Sequence, residues 1–204
     1  ITFGMYLRIR RSNPGYRMAY LDGKVEIKSP EFRYERGAWK LGLLVPVVAM
    51  AHGIPFSGAG STTFRLGDQS LLKGSGKEPD ESFYFANEPL IRGKDRIILP
   101  GDPPPDLWIE VDNRGSSWGR LPLYARLGVP EVWQLRVRKN TLWFGRLEGE
   151  TCQETDRSLS LSMLTPERVL DALNKAKGVS DSTWLRWLTG WAATLGEPPA
   201  TDAL

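Results

Sequence analysis

At 204 residues, with 41% hydrophobic and 25% charged side chains, the chain is long enough to bury a sizeable core in one domain with at most a small appendage. Lys and Arg outnumber Asp and Glu only 27 to 24, so the pI near 9.0 reflects a small excess and not a basic arm; nucleic acid is permitted as a partner but not demanded. One cysteine, Cys152, and one histidine, His52, exclude an intramolecular disulfide and a zinc site of Cys/His spacing. The longest apolar run, 41–51, is broken by Gly42 and Pro46 and falls well short of the ~20 residues of a membrane span. With no leader-like stretch either, the expectation is a cytoplasmic protein without membrane contact.

Residues 1–17 are basic, with Arg8, Arg10, Arg11 and Arg17 around a turn at Asn13-Pro14-Gly15, and read as a solvated surface. Tyr20 and Leu21 before Asp22-Gly23, with Val25 and Ile27 after it, signal a tight β-hairpin. Glu26 lies on its second strand, on the face opposite Val25 and Ile27, where an exposed strand acid and a site acid are equally good readings. Ser29-Pro30-Glu31 then opens a helix, whose apolar residues recur through Trp39, Leu43, Val47 and Met50. Leu41, Leu44, Val45 and Val48 widen that apolar surface, so the helix should lie under a sheet, with a bend near Gly42 or Pro46. His52 before Gly53 reads as a helix cap or surface residue, not a catalytic group. A strand is expected over 57–67, a polar Gly-rich loop over 67–78, and a short strand over 82–85 with Asp80 at its mouth.

The stretch 103–131, PPPDLWIEVDNRGSSWGRLPLYARLGVPE, carries the strongest chemical signal. Leu107, Trp108, Ile109 and Val111 read as a buried strand, yet Glu110 sits among them. A carboxylate in such a run is costly unless it is paired or bound to a metal. Strand alternation turns Asp112 to the same side, and two acids on one face call for a cation. NRGSS is a turn, and Pro122 is tolerated only in the first turn of a helix, which puts Arg120 at the helix start. A guanidinium beside free helix N–H groups suits a phosphate, and Arg114 in the turn is a second phosphate-binding candidate.

After the helix at about 120–128, EVWQLRVR and TLWFGRL form a hairpin around Lys139-Asn140, and two weaker strands are expected across 151–162. Thr165-Pro166-Glu167 opens a helix reaching about Lys177. A last helix places Trp184, Trp187, Leu188 and Trp191 on one face for core or dimer packing. The division implied is a core over 1–162 and a helical extension over 163–204, packed on the core or in a homodimer interface.

Five segments, LDGKVEIKSP, GSTTFR, PDESFYF, PPDLWIEVDNRGSS and RLPLYARLGVPEVW, occur in an order and spacing that resembles the Uma-type restriction endonucleases of the PD-(D/E)XK nuclease superfamily, over roughly residues 3–137. The resemblance implies an α/β fold whose mixed sheet has a helix before it and another after the third core strand. It further implies an endonuclease hydrolysing DNA phosphodiester bonds with Mg²⁺, or Mn²⁺ as substitute, and no organic cofactor. Asp80 corresponds to the first metal-binding acid, Glu110 to the second and Glu26 to a glutamate of the preceding hairpin. Asp112 stands where the superfamily's usual lysine would be, as a possible further metal ligand, and Arg120 occupies the position of a helix lysine. Arginine does not readily lose its proton, so Arg120 can hold the scissile phosphate but cannot be the general base. A degenerate nuclease that binds DNA or a protein without cleaving is the alternative.

Overall fold

Helix α1 (Phe3–Ser12) begins where the Thr2 side chain accepts a hydrogen bond from the Met5 N–H. Phe3, Tyr6 and Leu7 bury one side of it, so the segment expected as solvated surface is amphipathic, with its arginines on the remaining face. Phe3 and Tyr6 pack on Tyr20 of β1 (Arg17–Leu21), with ring centroids 5.2 and 5.3 Å away. Strand β1 turns through Asp22-Gly23, both at positive φ, into β2 (Lys24–Lys28), forming the expected hairpin. This computed structural model describes residues 1–28, 31–66, 75–112 and 121–196. Ser29 and Pro30, read as a helix opening, lie outside them; α2 (Phe32–Ala51) has Glu31 at its N-cap and continues through Pro46.

The expected strand over 57–67 divides into β3 (Ser57–Gly58) and β4 (Phe64–Leu66), which join different sheets because the chain turns between them with Gly60 at φ 55°. The expected loop over 67–78 ends in a further strand, β5 (Ser75–Lys77). Strands β6 (Glu81–Tyr84) and β7 (Leu107–Asp112) flank the short α3 (Glu88–Ile91). Helix α4 (Leu121–Leu127) lies on the crossover to β8 (Glu131–Arg136), which is parallel to β7, as a crossover connection requires. The hairpin of β9 (Thr141–Glu148) follows, then β10 (Thr151–Thr155), the one strand formed where two were expected across 151–162. Helices α5 (Pro166–Asn174) and α6 (Asp181–Thr194) close the described chain.

Two sheets result: a mixed six-stranded sheet ordered β10-β9-β8-β7-β6-β3 and an antiparallel four-stranded sheet ordered β2-β1-β5-β4. Central β7 is buried on both faces. Leu107, Ile109 and Val111 meet α2 and the α5–α6 pair in one core, while Trp108 packs with Phe64, Tyr84 and Tyr124 in another. Trp184 and Leu188 of α6 enter the first core, and the Trp184 indole N–H donates to the Ala172 carbonyl at 2.9 Å. Trp187, 37% exposed, stacks on Trp191 at 5.7 Å. His52 caps α2 and places Nε2 3.1 Å from the Ala192 carbonyl, a structural contact between α2 and α6. No helix among the described residues is long and apolar enough to cross a membrane.

Glu131, at the start of β8, is wholly buried and accepts hydrogen bonds from the Trp133 indole at 2.6 Å and from the Ser160 N–H and hydroxyl at 3.0 and 2.8 Å. Burial raises its carboxyl above the ordinary 4.5, against the lowering effect of Ser158, Trp133 and Ser160. The folded chain therefore holds this proton to higher pH than the unfolded chain, and the associated stability is lost as pH rises from about 4.5 through the folded value. In denaturant unfolding, the wild type should lose stability relative to Glu131→Gln between pH 4.5 and neutrality. Parallel pH profiles for the two proteins would contradict this.

Candidate active site

The site lies where the two sheets meet, and strand register dictates which side chains reach it. In the four-stranded sheet Ala19 pairs with Glu26 on one side and Lys77 on the other, and Lys77 pairs with Phe64. Paired residues share a face, so Glu26, Ala19, Lys77 and Phe64 form one row. Phe64 leans on Trp108 of β7, with centroids 5.4 Å apart, and so brings this row against the face of β7 that carries Trp108, Glu110 and Asp112. Alternation turns Gly76 to the other face, beneath α1. A Cβ there would stand 2.9 Å from Tyr6 Cε1 and 3.2 Å from Phe3 Cε2, so only glycine lets the aromatic residues of α1 press on β5 and set the position of Lys77.

Lys77 Nζ lies 3.0 Å from Glu110 Oε1, with side chains only 7% and 1% exposed. This ion pair supplies the partner that a carboxylate inside an apolar strand needs. Asp80 is fixed by the backbone of β7 on both sides of Glu110: its N–H donates to the Ile109 carbonyl at 3.0 Å and its Oδ2 accepts from the Val111 N–H at 2.6 Å. Its Oδ1 accepts from Arg17 Nη1, and Arg17 Nη2 donates to Glu35 at 3.1 Å. Burial works to lower the Arg17 pKa, but Asp80 and then Glu35 outweigh it and push the guanidinium above its ordinary value. Glu81, next in sequence, has its carboxyl raised by burial, with Arg17 opposing.

Arg17, Ala19, Glu26, Lys77, Glu78, Asp80 and Glu110 thus surround one small pocket with about 10 Å³ of free space, room for a single water-sized sphere. Of the sequence candidates, Asp80, Glu110 and Glu26 come together here. Asp112 is on the same face of β7 but outside the pocket lining, accepting from Gln134 Nε2 at 2.7 Å. Arg114 and Arg120 lie outside the described residues. Two pocket residues fall outside the sequence expectations: Lys77 belongs to a three-residue strand too short to show a period, in a stretch that reads as loop, and Arg17 reads as one of the surface charges.

The donor set is of the chemical type that a hard divalent cation takes. Its donors are carboxylate oxygens, and its four lining acids outnumber its two lining cations, although Arg10 pairs with one acid, Glu78, from outside. Among the described residues no three Asp, Glu, His or Cys side chains converge as a preformed metal cage. Mg²⁺ does not demand one, since it is commonly held by one or two carboxylates, water and substrate phosphate.

This architecture, with one acid just ahead of β6 and one within the adjoining β7 of a mixed sheet backed by a long helix, is an α/β fold. A crystal structure titled as that of a putative nuclease belonging to DUF820, from Anabaena variabilis ATCC 29413, is similar in fold, with a TM-score of 0.54 at 16% identity, covering 91% of this chain and 99% of that one. Residues 3–176 match the model of the Uma2 family, described as putative restriction endonuclease, and the chain belongs to that family. No curated protein matches the sequence.

The buried pair gives a direct test of the site's electrostatics. Lys77→Met should cost roughly 3 to 5 kcal/mol of unfolding free energy by stranding Glu110, and Lys77→Met/Glu110→Leu should recover most of that loss. A single-variant cost within about 0.5 kcal/mol, as for an ordinary surface change, would show that the pair is not buried as described.

Proposed function

We propose that this chain is a metal-dependent endonuclease that hydrolyses DNA phosphodiester bonds at the pocket formed by Asp80, Glu110, Lys77 and Glu26. The observation that carries this reading is the meeting of Lys77 from β5 with Glu110 of β7 and Asp80, in a chain of a restriction-endonuclease family. Asp80 and Glu110 would hold Mg²⁺, or Mn²⁺ in its place, which when bound lowers the pKa of a water and polarises a phosphoryl oxygen.

The chain's own groups divide the remaining work. The Val111 N–H and Arg17 fix both oxygens of Asp80, so this carboxylate is oriented before substrate arrives. Lys77 brings ammonium donors to the Glu110 side of the pocket, where they can hold a phosphate oxygen or the attacking water; unlike arginine, lysine can also exchange its proton. Glu26, at the open side, can accept a hydrogen bond from that water and orient it. Asp112, whose Oδ2 accepts from Gln134, lies outside the pocket lining and would join only as a further metal ligand. Arg114 and Arg120 are kept as phosphate-binding residues on the sequence argument. The homodimer is likewise a proposal, through the stacked Trp187–Trp191 surface of α6, which light scattering would read.

One observation favours the alternative of a nuclease fold that binds without cutting: Asp80 and Glu110 each already face a protein cation, Arg17 and Lys77. Plasmid nicking by pure protein in Mg²⁺ or Mn²⁺ separates the two. Asp80→Asn, Glu110→Gln and Lys77→Met should each lower the nicking rate about 100-fold or more, and Glu26→Gln by less. Equal nicking by wild type and the Asp80→Asn/Glu110→Gln variant would refute the assignment. Duplex binding without nicking by the wild type would establish the alternative.

A further inference from the structure

A second, larger concavity adjoins this pocket. It is a cleft of about 510 Å³ bounded by the C-terminal half of α1, the turn from β3 to β4 and the loop at 94–98. Its wall carries Arg10, Arg11, Arg65, Lys94 and Arg96 against one acid, Asp95. The whole chain exceeds neutrality by only three charges, so this is a segregated patch and not the average surface. Arg10 is paired with Glu78 and Lys94 with Asp102. Arg11, Arg65 and Arg96 are exposed and make no ion pair among the described residues. Three guanidinium groups without ion-pair partners, from three separate segments, thus line one cleft beside a single acid, a charge balance that an anion spanning the cleft would complement.

The cleft also leads to the chemistry. Glu78 lines the small pocket, and it accepts hydrogen bonds from Arg10 and, at 2.8 Å, from the Thr63 hydroxyl, both of which line the cleft. One carboxylate is thus the partition between the two spaces. Tyr84 lines the cleft from the far end of β6, the strand that follows Asp80.

We propose that this cleft is the track for the phosphate backbone of the nucleic-acid substrate on one side of the cleaved bond, with Arg11, Arg65 and Arg96 as its phosphate contacts. The proposal rests on the nuclease reading of the adjoining pocket. Contacts of this kind set position and affinity without reading sequence, and each neutralised phosphate contributes a fixed share of the salt dependence.

The test compares two triple variants of the full chain with equal charge loss: Arg11→Gln/Arg65→Gln/Arg96→Gln in the cleft, and Arg33→Gln/Arg146→Gln/Arg186→Gln elsewhere. Binding of a fluorescein-labelled DNA duplex is followed by anisotropy in EDTA across a salt series, with unfolding midpoints as a check on folding. The slope of log K against log[salt] should become shallower by about 0.9 for each cleft arginine removed and stay near the wild-type slope in the control. The single variant Arg65→Gln should show about one third of the effect, which keeps the test open if the triple variant folds poorly. Equal slopes for the two triples overturn the cleft proposal and leave the nuclease reading to the nicking assay. Loss of slope only in the cleft triple, with no nicking by any form, supports the cleft and defeats the nuclease reading. Absence of duplex binding by the wild type overturns the cleft proposal, and the nuclease reading again stands or falls by the nicking assay.

Discussion

The Lys77–Glu110 ion pair, closed off between two sheets, is the interaction on which the rest of the arrangement depends. Strand β7 is the centre of the larger sheet and is apolar on both faces, so a carboxylate in its middle would destabilise the fold if it stood alone. Its compensation comes from another sheet. Lys77 reaches Glu110 because β5 is inserted between β1 and β4, and β5 can lie there because Gly76 leaves room for Phe3 and Tyr6. A helix at the start of the chain therefore helps to fix a charge at its centre. In return, the pair ties the small sheet to the large one at a point where apolar packing alone, such as Phe64 on Trp108, would not set the register of polar groups.

The same logic extends outward by one pair at a time. Arg17 answers Asp80, and Arg10 answers Glu78, so the three buried acids of the pocket each have a cation from α1, β1 or β5. Such matched pairs hold their members in fixed orientation in a region of low dielectric, which is the condition under which a few charges can act strongly on a phosphate ester. The arrangement also grades from negative to positive. Inside the pocket acids are in excess, whereas beyond Glu78 the cleft wall is basic, and a polyanion lying in the cleft would come with a phosphate beside the pocket.

How much of this was legible in the sequence follows from the length of each pattern. The hairpin around Asp22-Gly23, helix α2 and the buried strand with its internal acid have enough residues to declare a period; Glu110 stands out from that strand context, whereas Asp80 rests on the family resemblance alone. Lys77 does not stand out, because a three-residue strand has no period and its glycine is selected by contacts with residues some seventy positions away. Helix α1 had a readable face at Phe3, Tyr6 and Leu7, but four arginines nearby drew the reading toward solvent. The single strand expected over 57–67 failed for a different reason: composition showed β-forming residues but not that Gly60 turns the chain from one sheet to the other.

If Asp80 and Glu110 form one centre with Lys77 as its fixed counter-charge, the chain should bind a divalent cation there without any substrate. Titration of the full chain with Mn²⁺, read by the loss of the free-ion signal in electron paramagnetic resonance, measures this most directly. One bound Mn²⁺ is predicted for the wild type, lost in Asp80→Asn/Glu110→Gln and retained in Arg33→Gln. Mn²⁺ bound with unchanged affinity and stoichiometry by the double variant would contradict the assignment of these two carboxylates as the metal-binding pair.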